Sequence, residues 1–455
     1  MKLILLTLAC LALCSIPSVL AADWAVIVAG SNTFDNYRHQ ADACHAYQIV
    51  AKNGIPSDHI ITMMYDDIAN DPANPFPGQI FNKPTDKGVA GVDVYANIQK
   101  DYTGADVTPE MFLAILTGNS QYPGAKKVIK SSSEDRIFIF FVDHGGPGLI
   151  AFPSEYLYAT DLIKALNTMY TQKMYSRMVF YVEACESGSM FSGLLPSTWN
   201  IYVTTASNPD ESSWGTYCPP EDSVNGVEIN SCLGDLYSVN WMENTDEVGM
   251  KQTLQEQFKI VQNLTAQSHV MQYGDLSFTS DTIGDYLSES KIKRKHSHRK
   301  LPVGDSVKPI DASKKPSSYV SSRDIPLHLA YYRYLRAGVL TPEAKLAREQ
   351  LRAQLDAREE AEERFTQLAY HLSVDEKTGK MLHTPEHLFN PPTLPIHSGS
   401  CVKSAVSALK ANGCDYDDFS LQFHAVIVNA CRRHQHEENG AKALVAAIKK
   451  VCKKE

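Results

Sequence analysis

Apolar positions along the chain fall into two kinds of run. Short, mostly apolar runs occupy Ala25–Ala29, Ile60–Tyr65, Ile137–Val142, Met178–Val182 and Ile201–Thr205, with Ile137–Val142 apolar throughout. Runs of that length mark strands buried on both faces. Between them, residues 40–53, Thr108–Leu116 and Leu162–Met169 carry apolar residues at helical spacing. The alternation predicts an α/β unit over 23–290, a parallel sheet with helices on both sides.

The pattern changes after residue 290. KIKRKHSHRK opens a stretch rich in Pro, Ser, Lys and Asp with little apolar periodicity, read as a flexible linker over 291–325. Residues 326–372 read as strongly helical. Residues 398–455 combine helical spacing with four clustered cysteines, so 326–455 is read as a small helical unit. At the other end, Lys2 precedes the apolar run Leu3–Leu13, and small residues lead to Ala21 and Ala22. This is a signal-peptide pattern over 1–22. A membrane anchor is the alternative, but the run falls short of the roughly 20 residues that a span needs. No later run is long enough to cross a bilayer. The expected location is the secretory pathway, with a lysosome or vacuole, or the cell exterior, as destination.

Composition adds the compartment and a division of charge. The chain has 455 residues, enough for two or three folded units, and its net charge of −9 argues against a general nucleic-acid binder. Residues 23–290 hold 14 basic and 33 acidic side chains, net −19, whereas 291–455 hold 28 and 19, net +9. Two oppositely charged parts of one chain attract each other. Eight cysteines remain once Cys10 and Cys14 leave with the signal. An oxidising compartment favours disulfides. Cys218 and Cys232 are close enough in sequence to close a short loop. Cys401, Cys414, Cys431 and Cys452 allow three pairings. Cys44 lies in a helix-like segment and reads as a buried thiol, and Asn263 opens a glycosylation sequon.

Two of the buried strands run into reactive residues: the first into Asp143-His144-Gly145-Gly146, the second into Glu183-Ala184-Cys185-Glu186-Ser187-Gly188. Ligands of open parallel sheets bind beyond the carboxyl ends of the strands. If these strands are neighbours, His144 and Cys185 face one crevice. A thiol beside an imidazole is an arrangement for acyl transfer: the ring helps to ionise the nucleophile and later protonates the leaving amine. The amides of Gly145 and Cys185 are natural oxyanion donors, and glycine after His144 opens the approach to them. Zinc is the competing use of Cys and His, but no paired ligand spacing accompanies them. No metal and no cofactor is expected.

These segments resemble the legumain family, the asparaginyl endopeptidases or vacuolar processing enzymes of the caspase-like cysteine peptidase clan. NYRHQADACHAYQI, FVDHGGPG, KMYSRMVFYVEACESGSM, TTASNPDESSWGTYC and CLGDLYSVNWME are among the matching stretches, which span most of 23–275. The tail matches more loosely, by its helices and four cysteines. The resemblance implies a caspase-like, mostly parallel sheet flanked by helices, plus a C-terminal all-α, disulfide-containing prodomain that covers the active site. It implies Cys185 as nucleophile, His144 as its partner and Asn36 as the residue that orients His144. It implies a pocket for the substrate's P1 side chain (the residue before the cut) made by Arg38, His39, Glu183, Ser213 and Asp235. Asp143 matches an aspartate that becomes a succinimide in relatives. The pairing taken for the tail is Cys401–Cys431 with Cys414–Cys452, beside Cys218–Cys232.

The implied function is a cysteine endopeptidase zymogen that cuts after asparagine, and after aspartate in acid. Its implied partners are proteins and peptides with accessible Asn, its own prodomain and cystatin-type inhibitors. Asparaginyl peptide ligation on the same scaffold is the alternative. The related glycosylphosphatidylinositol transamidase subunit usually carries a membrane span, and a non-enzymatic binder would have no use for Asn36, His144 and Cys185 together. The chain departs from the family in one respect: 291–389 contains no Asn. Asp305, Asp311 and Asp324 are left as acid-dependent candidates for the activation cut, the match of SSRDIPLHLAYYRYLR favouring Asp324, and a different protease cutting the basic run is the alternative.

Overall fold

A computed structural model describes residues 21–288, 318–338, 341–374, 378–397, 399–414, 416–433 and 440–452. The signal segment up to residue 20 and the linker up to residue 317 lie outside the described residues. In chain order the first part runs β1 (Asp23–Ala29), α1 (Tyr37–Lys52), β2 (Ile60–Met63), α2 (Pro109–Leu116) and β3 (Arg136–Val142). A small antiparallel sheet follows, β4 (Gly145–Gly146), β5 (Leu149–Ala151) and β6 (Tyr156–Tyr158), then α3 (Ala159–Thr171), β7 (Arg177–Glu183) and β8 (Ile201–Thr205). Next come β9 (Trp214–Thr216), β10 (Ser223–Val224), β11 (Val227–Glu228), β12 (Gly234–Asp235), α4 (Leu236–Val248), α5 (Leu254–Leu264), β13 (Met271–Gly274) and α6 (Gly284–Leu287). Beyond the linker lie β14 (Tyr319–Ser321), α7 (Ile325–Arg336), α8 (Pro342–Ser373), α9 (Ser400–Ala411), α10 (His424–Arg433) and α11 (Gly440–Val451).

The main sheet has the order β13-β8-β7-β3-β1-β2. Every pairing is parallel except that of the edge strand β13 with β8. The alternation of side chains explains the unbroken apolar runs. Ala25, Ile27, Phe138 and Phe140 face one core, which α1, α4 and α5 cover. Val26, Val28, Ile137, Ile139 and Phe141 face the other, which α2 and α3 cover. Both faces need apolar residues, so no polar position interrupts the run.

One helical run becomes two helices. The strongly helical stretch 326–372 folds as two helices, α7 and α8, with Gly338 at φ 74° between them and Thr341 accepting the Ala344 amide as the cap of α8. Pro342 at the first position of α8 suits a helix start. The tail has an apolar core of its own, built on Phe365, Leu368, Leu409, Val426, Ile427, Leu444 and Ile448, and Leu149 and Tyr158 of the β4–β6 sheet join it. Cys401–Cys431 ties α9 to α10, Cys414–Cys452 ties the loop after α9 to the end of α11, and Cys218–Cys232 closes the loop that carries β10 and β11. Cys44 is a buried free thiol. Among the described residues no helix is long and apolar enough to cross a membrane.

Candidate active site

Strand register brings the reactive residues together. Val142 of β3 pairs with Glu183 of β7, and the Asp143 amide donates to the Glu183 carbonyl at 3.1 Å. His144 and Cys185 therefore leave neighbouring strands at the same carboxyl edge of the sheet. Gly145 presses so closely on the Cys185 carbonyl that a β-carbon there would collide with it. The glycine that the sequence reading assigned to substrate approach is thus already required by the contact of the two strand ends. Gly30, at the end of β1, is constrained in the same way, because a β-carbon there would lie 2.5 Å from Asp143 Oδ2.

The buried Cys185 Sγ accepts the Ser213 amide at 3.3 Å and lies 3.6 Å from Ser213 Oγ. Burial pushes its thiol up from the ordinary value, and the Arg323 guanidinium works against that. His144 Nε2 lies 2.9 Å from Asn36 Oδ1 and 3.0 Å from Asp418 Oδ2, whereas the buried Nδ1 has no partner. No hydrogen bond joins the ring to Sγ among the described residues. Nδ1 is the nitrogen left for the nucleophile, and such contacts commonly tighten only when substrate binds.

A polar chamber adjoins the pair. The first turn of α1 supplies Arg38 and His39, the end of β7 supplies Glu183, and β12 supplies Asp235. Arg38 Nε donates to Asp235 Oδ1 at 2.9 Å, both side chains being about 1% exposed. Glu183 Oε2 accepts the amide and the hydroxyl of Ser238, each at 2.9 Å. Three atoms stay unpartnered although buried: Arg38 Nη2, a donor, and Glu183 Oε1 and Asp235 Oδ2, acceptors. Burial and the neighbouring Asp235 push Glu183 well above the ordinary carboxylate range. Burial raises Asp235 too, against the pull of Arg38. Burial, Arg38 and His144 hold the His39 ring well below its usual value and hence neutral. Burial and the nearby Asp418 raise Asp143, whose Oδ1 is unpartnered and 3.4 Å from His39 Nδ1.

Three tail residues enter this region. β14 pairs antiparallel with β9, and the Ser322 amide continues the ladder by donating to the Ser213 carbonyl at 3.0 Å. The buried Arg323 donates to the Gly145 carbonyl (2.7 Å), Glu186 Oε2 (2.7 Å) and the Asp418 carbonyl (2.8 Å). Asp418 reaches the catalytic-edge histidine, as above. Further out, Arg336 holds Asp222 through both terminal guanidinium nitrogens, Arg333 meets Asp35, and Lys403 meets Asp161.

The structure thus gathers Asn36, Arg38, His39, Asp143, His144, Gly145, Glu183, Cys185, Ser213 and Asp235 in one place. Asp324 stands apart from the chamber: it is exposed and paired with Arg358 at 2.7 Å. Asn263 is exposed near the end of α5. The sequence reading missed Asp42, Asn82, Glu186 and Ser238, and the tail residues Ser322, Arg323 and Asp418. Asp42 had a signal, since it follows Arg38 by one helical turn and shares its face.

Comparison with known proteins supplies the family. The model of the peptidase C13 family matches residues 23–290. A vacuolar-processing enzyme of Citrus sinensis is 39% identical over 439 residues, 94% of this chain and 85% of its own length. The legumain of Rattus norvegicus is 40% identical over 418 residues, 90% and 88% respectively. The solved caspase-1 of Spodoptera frugiperda shares 9% identity over 57% of this chain and 88% of its own, with a TM-score of 0.32. With a crevice of this kind and relatives aligned almost end to end, the chain belongs to the peptidase C13 family, with the legumains and vacuolar-processing enzymes, and is a cysteine endopeptidase.

Proposed function

We propose that the protein cleaves peptide bonds after asparagine and is held latent by its own C-terminal helices. The observation that carries this reading is the set of three orphaned atoms in the chamber. A carboxamide offers one carbonyl acceptor and one NH₂ donor. Its carbonyl satisfies Arg38 Nη2, and its NH₂ satisfies Glu183 Oε1 and Asp235 Oδ2. A buried polar atom left unpaired costs about 1–3 kcal/mol, so the P1 side chain that fills all three is strongly preferred. An ionised aspartate would set a third carboxylate beside Glu183 and Asp235, so cleavage after Asp belongs to acid.

Chemistry then follows from the strand ends. His144, oriented by Asn36, takes the Cys185 proton. The thiolate attacks the carbonyl after asparagine, and the amides of Gly145 and Cys185 receive the oxyanion. His144 returns the proton to the leaving amine, and water opens the thioester. Asp143, whose carboxyl burial and the nearby Asp418 push up, carries the carboxyl that would close a succinimide with the following amide nitrogen, with loss of water. Latency is supported by the strand that Tyr319–Ser321 adds beside Ser213, by Arg323 over the Gly145 carbonyl, and by Asp418 on His144 Nε2. Loss of negative charge on the core in acid weakens its hold on the basic tail, and Asp324 is the activation cut that the sequence favours. The vacuolar-processing enzymes among the relatives point by name to a vacuole as the site of action, and Asn263 is an exposed candidate glycan acceptor.

One incubation tests the reading. The full chain, exposed to about pH 5, is given an Asn-containing peptide with and without an added amine. Hydrolysis after Asn, abolished in Cys185→Ala, is the expected result. Predominant amine adducts would mean a ligase, and cleavage elsewhere would overturn the pocket assignment. Latency fails if the affinity of the tail for the core is the same at about pH 7 and about pH 4.

A further inference from the structure

One corner of the chamber gathers three donors of the kind that ligate metals. His39 comes from α1, and Asp143 and His144 follow β3. A ring nitrogen of each histidine and one Asp143 oxygen lie within 4.8 Å of one another, and all three side chains are buried. His39 Nδ1 is 3.4 Å from Asp143 Oδ1, and that oxygen has no hydrogen-bond partner. His144 Nδ1 is likewise buried without one. The sequence reading set zinc aside for want of paired ligand spacing. The fold assembles this set from two segments far apart in the chain, which no local spacing shows.

The geometry suits a tetrahedral ion. Metal–ligand bonds of about 2.0–2.1 Å across the 3.4 Å gap subtend about 110°. A tetrahedral edge is about 3.3 Å, so the His144 ring has at most about 1.5 Å to travel. Histidines that hold a metal donate their other ring N–H to a carboxylate or a carbonyl. Both rings are placed for this: His144 Nε2 faces Asn36 Oδ1 and Asp418 Oδ2, and His39 Nε2 faces Asp235 Oδ2 at 3.5 Å. Nδ1 of each ring is then the side with the lone pair. Ser31 Oγ, 2.6 Å from His39 Nδ1, is a hydroxyl that can rotate away. Charge favours a cation as well. Asp143, Glu183 and Asp235 are buried beside Arg38, and behind them the buried Asp42 accepts the Asp235 amide at 3.0 Å and Asn82 Nδ2 at 2.7 Å. A dication offsets this excess of acid. Two imidazoles, one carboxylate and one open position suit zinc, whereas calcium and magnesium take oxygen ligands.

We propose that His39, Asp143 and His144 hold a zinc ion, and that this ion silences the enzyme by occupying the His144 lone pair that would receive the Cys185 proton. The fourth position is left to water or to the Cys185 thiolate. Asn36 keeps its place on Nε2, so the contact that orients the ring for catalysis also orients it for the metal. The inhibition is reversed by a chelator, and it does not depend on which side chain the chamber accepts.

The test separates this site from the thiol, which is a zinc ligand in its own right. Full-length Cys185→Ala at about pH 7 is titrated with cobalt(II), whose visible d–d band reports tetrahedral ligands. About one equivalent should give the band, and zinc should displace it. On the same background His39→Gln or Asp143→Asn should remove it. Asp235→Asn, which takes away the support of His39 Nε2, should weaken binding about ten- to a hundredfold. A band unmoved by His39→Gln and Asp143→Asn puts the ion on surface donors and overturns the site, as does its absence from Cys185→Ala. If the variants do not fold, the acid-activated wild type decides. Alkylation of Cys185 by iodoacetamide, read by mass, should slow at least about tenfold in stoichiometric zinc and recover with a chelator. An unchanged rate defeats the proposal. Cutting after a residue other than asparagine would sink the specificity reading and leave this one standing.

Discussion

The chamber beside Cys185 and the face on which the tail docks are built from the same kind of pair, an arginine or lysine against an aspartate. Their surroundings differ. Arg38 and Asp235 are about 1% exposed, whereas Lys403 and Asp161 are 44% and 35% exposed. Buried charges are screened little by salt and lose several kcal/mol when one partner is removed. Exposed pairs are worth about 0–1 kcal/mol and fade as salt rises. The first arrangement suits recognition that must not vary. The second suits the reversible docking proposed above.

The sharpest way to break this contrast is to remove a chamber charge. Arg38→Met leaves Asp235 without its cation, so the expected loss is about 3–5 kcal/mol of stability and at least about a hundredfold in kcat/KM for Asn peptides. Neither loss should change between low and high salt, as calorimetry and kinetics at two ionic strengths will show. Arg323 is a docking residue buried like a chamber residue. Its charge-assisted bonds are worth about 1.5–3 kcal/mol, so Arg323→Ala should raise the neutral-pH activity of the uncut chain by about ten- to a hundredfold.

Glu186 sharpens the comparison through pH. Burial pushes its carboxyl up to about 7 despite Arg323. The linked stability is complete below the ordinary glutamate value and is lost as pH rises through about 7. Glu186→Gln should therefore match the melting temperature of the wild type at about pH 4 and exceed it at about pH 8. If the variant is no more stable at the higher pH, burial is not the dominant cost. The smallest effect belongs to Lys403→Ala, which should weaken docking by no more than about 1 kcal/mol, a difference that disappears at about 1 M salt.

The central sheet was legible because its strands are apolar on both faces, so Ile137–Val142 and Met178–Val182 stand out without help from context. His144 and Cys185 were legible because they end those strands. Asp42 and Asn82 were not, since a buried polar residue looks like a surface one until its partners are known, and Asn82 comes from an irregular segment. The charge imbalance indicated that the two parts attract. It did not indicate Asp418, which runs against the trend by placing a tail acid on a core histidine. The break between α7 and α8 had its signals in Gly338 and Thr341-Pro342, which the strong helical propensity on either side obscured.

The three-stranded sheet β12-β9-β14 bears on the proposed release of the tail. Its outer strand comes from the tail. Under the release proposed above, departure of residues 319–322 leaves the flank of Trp214–Thr216 with open amides and carbonyls beside Cys185. Any extended polypeptide can complete that ladder through its main chain, whatever its side chains. Under the asparagine specificity proposed above, selectivity then rests on that one residue of the guest, and its neighbours are read mostly as backbone.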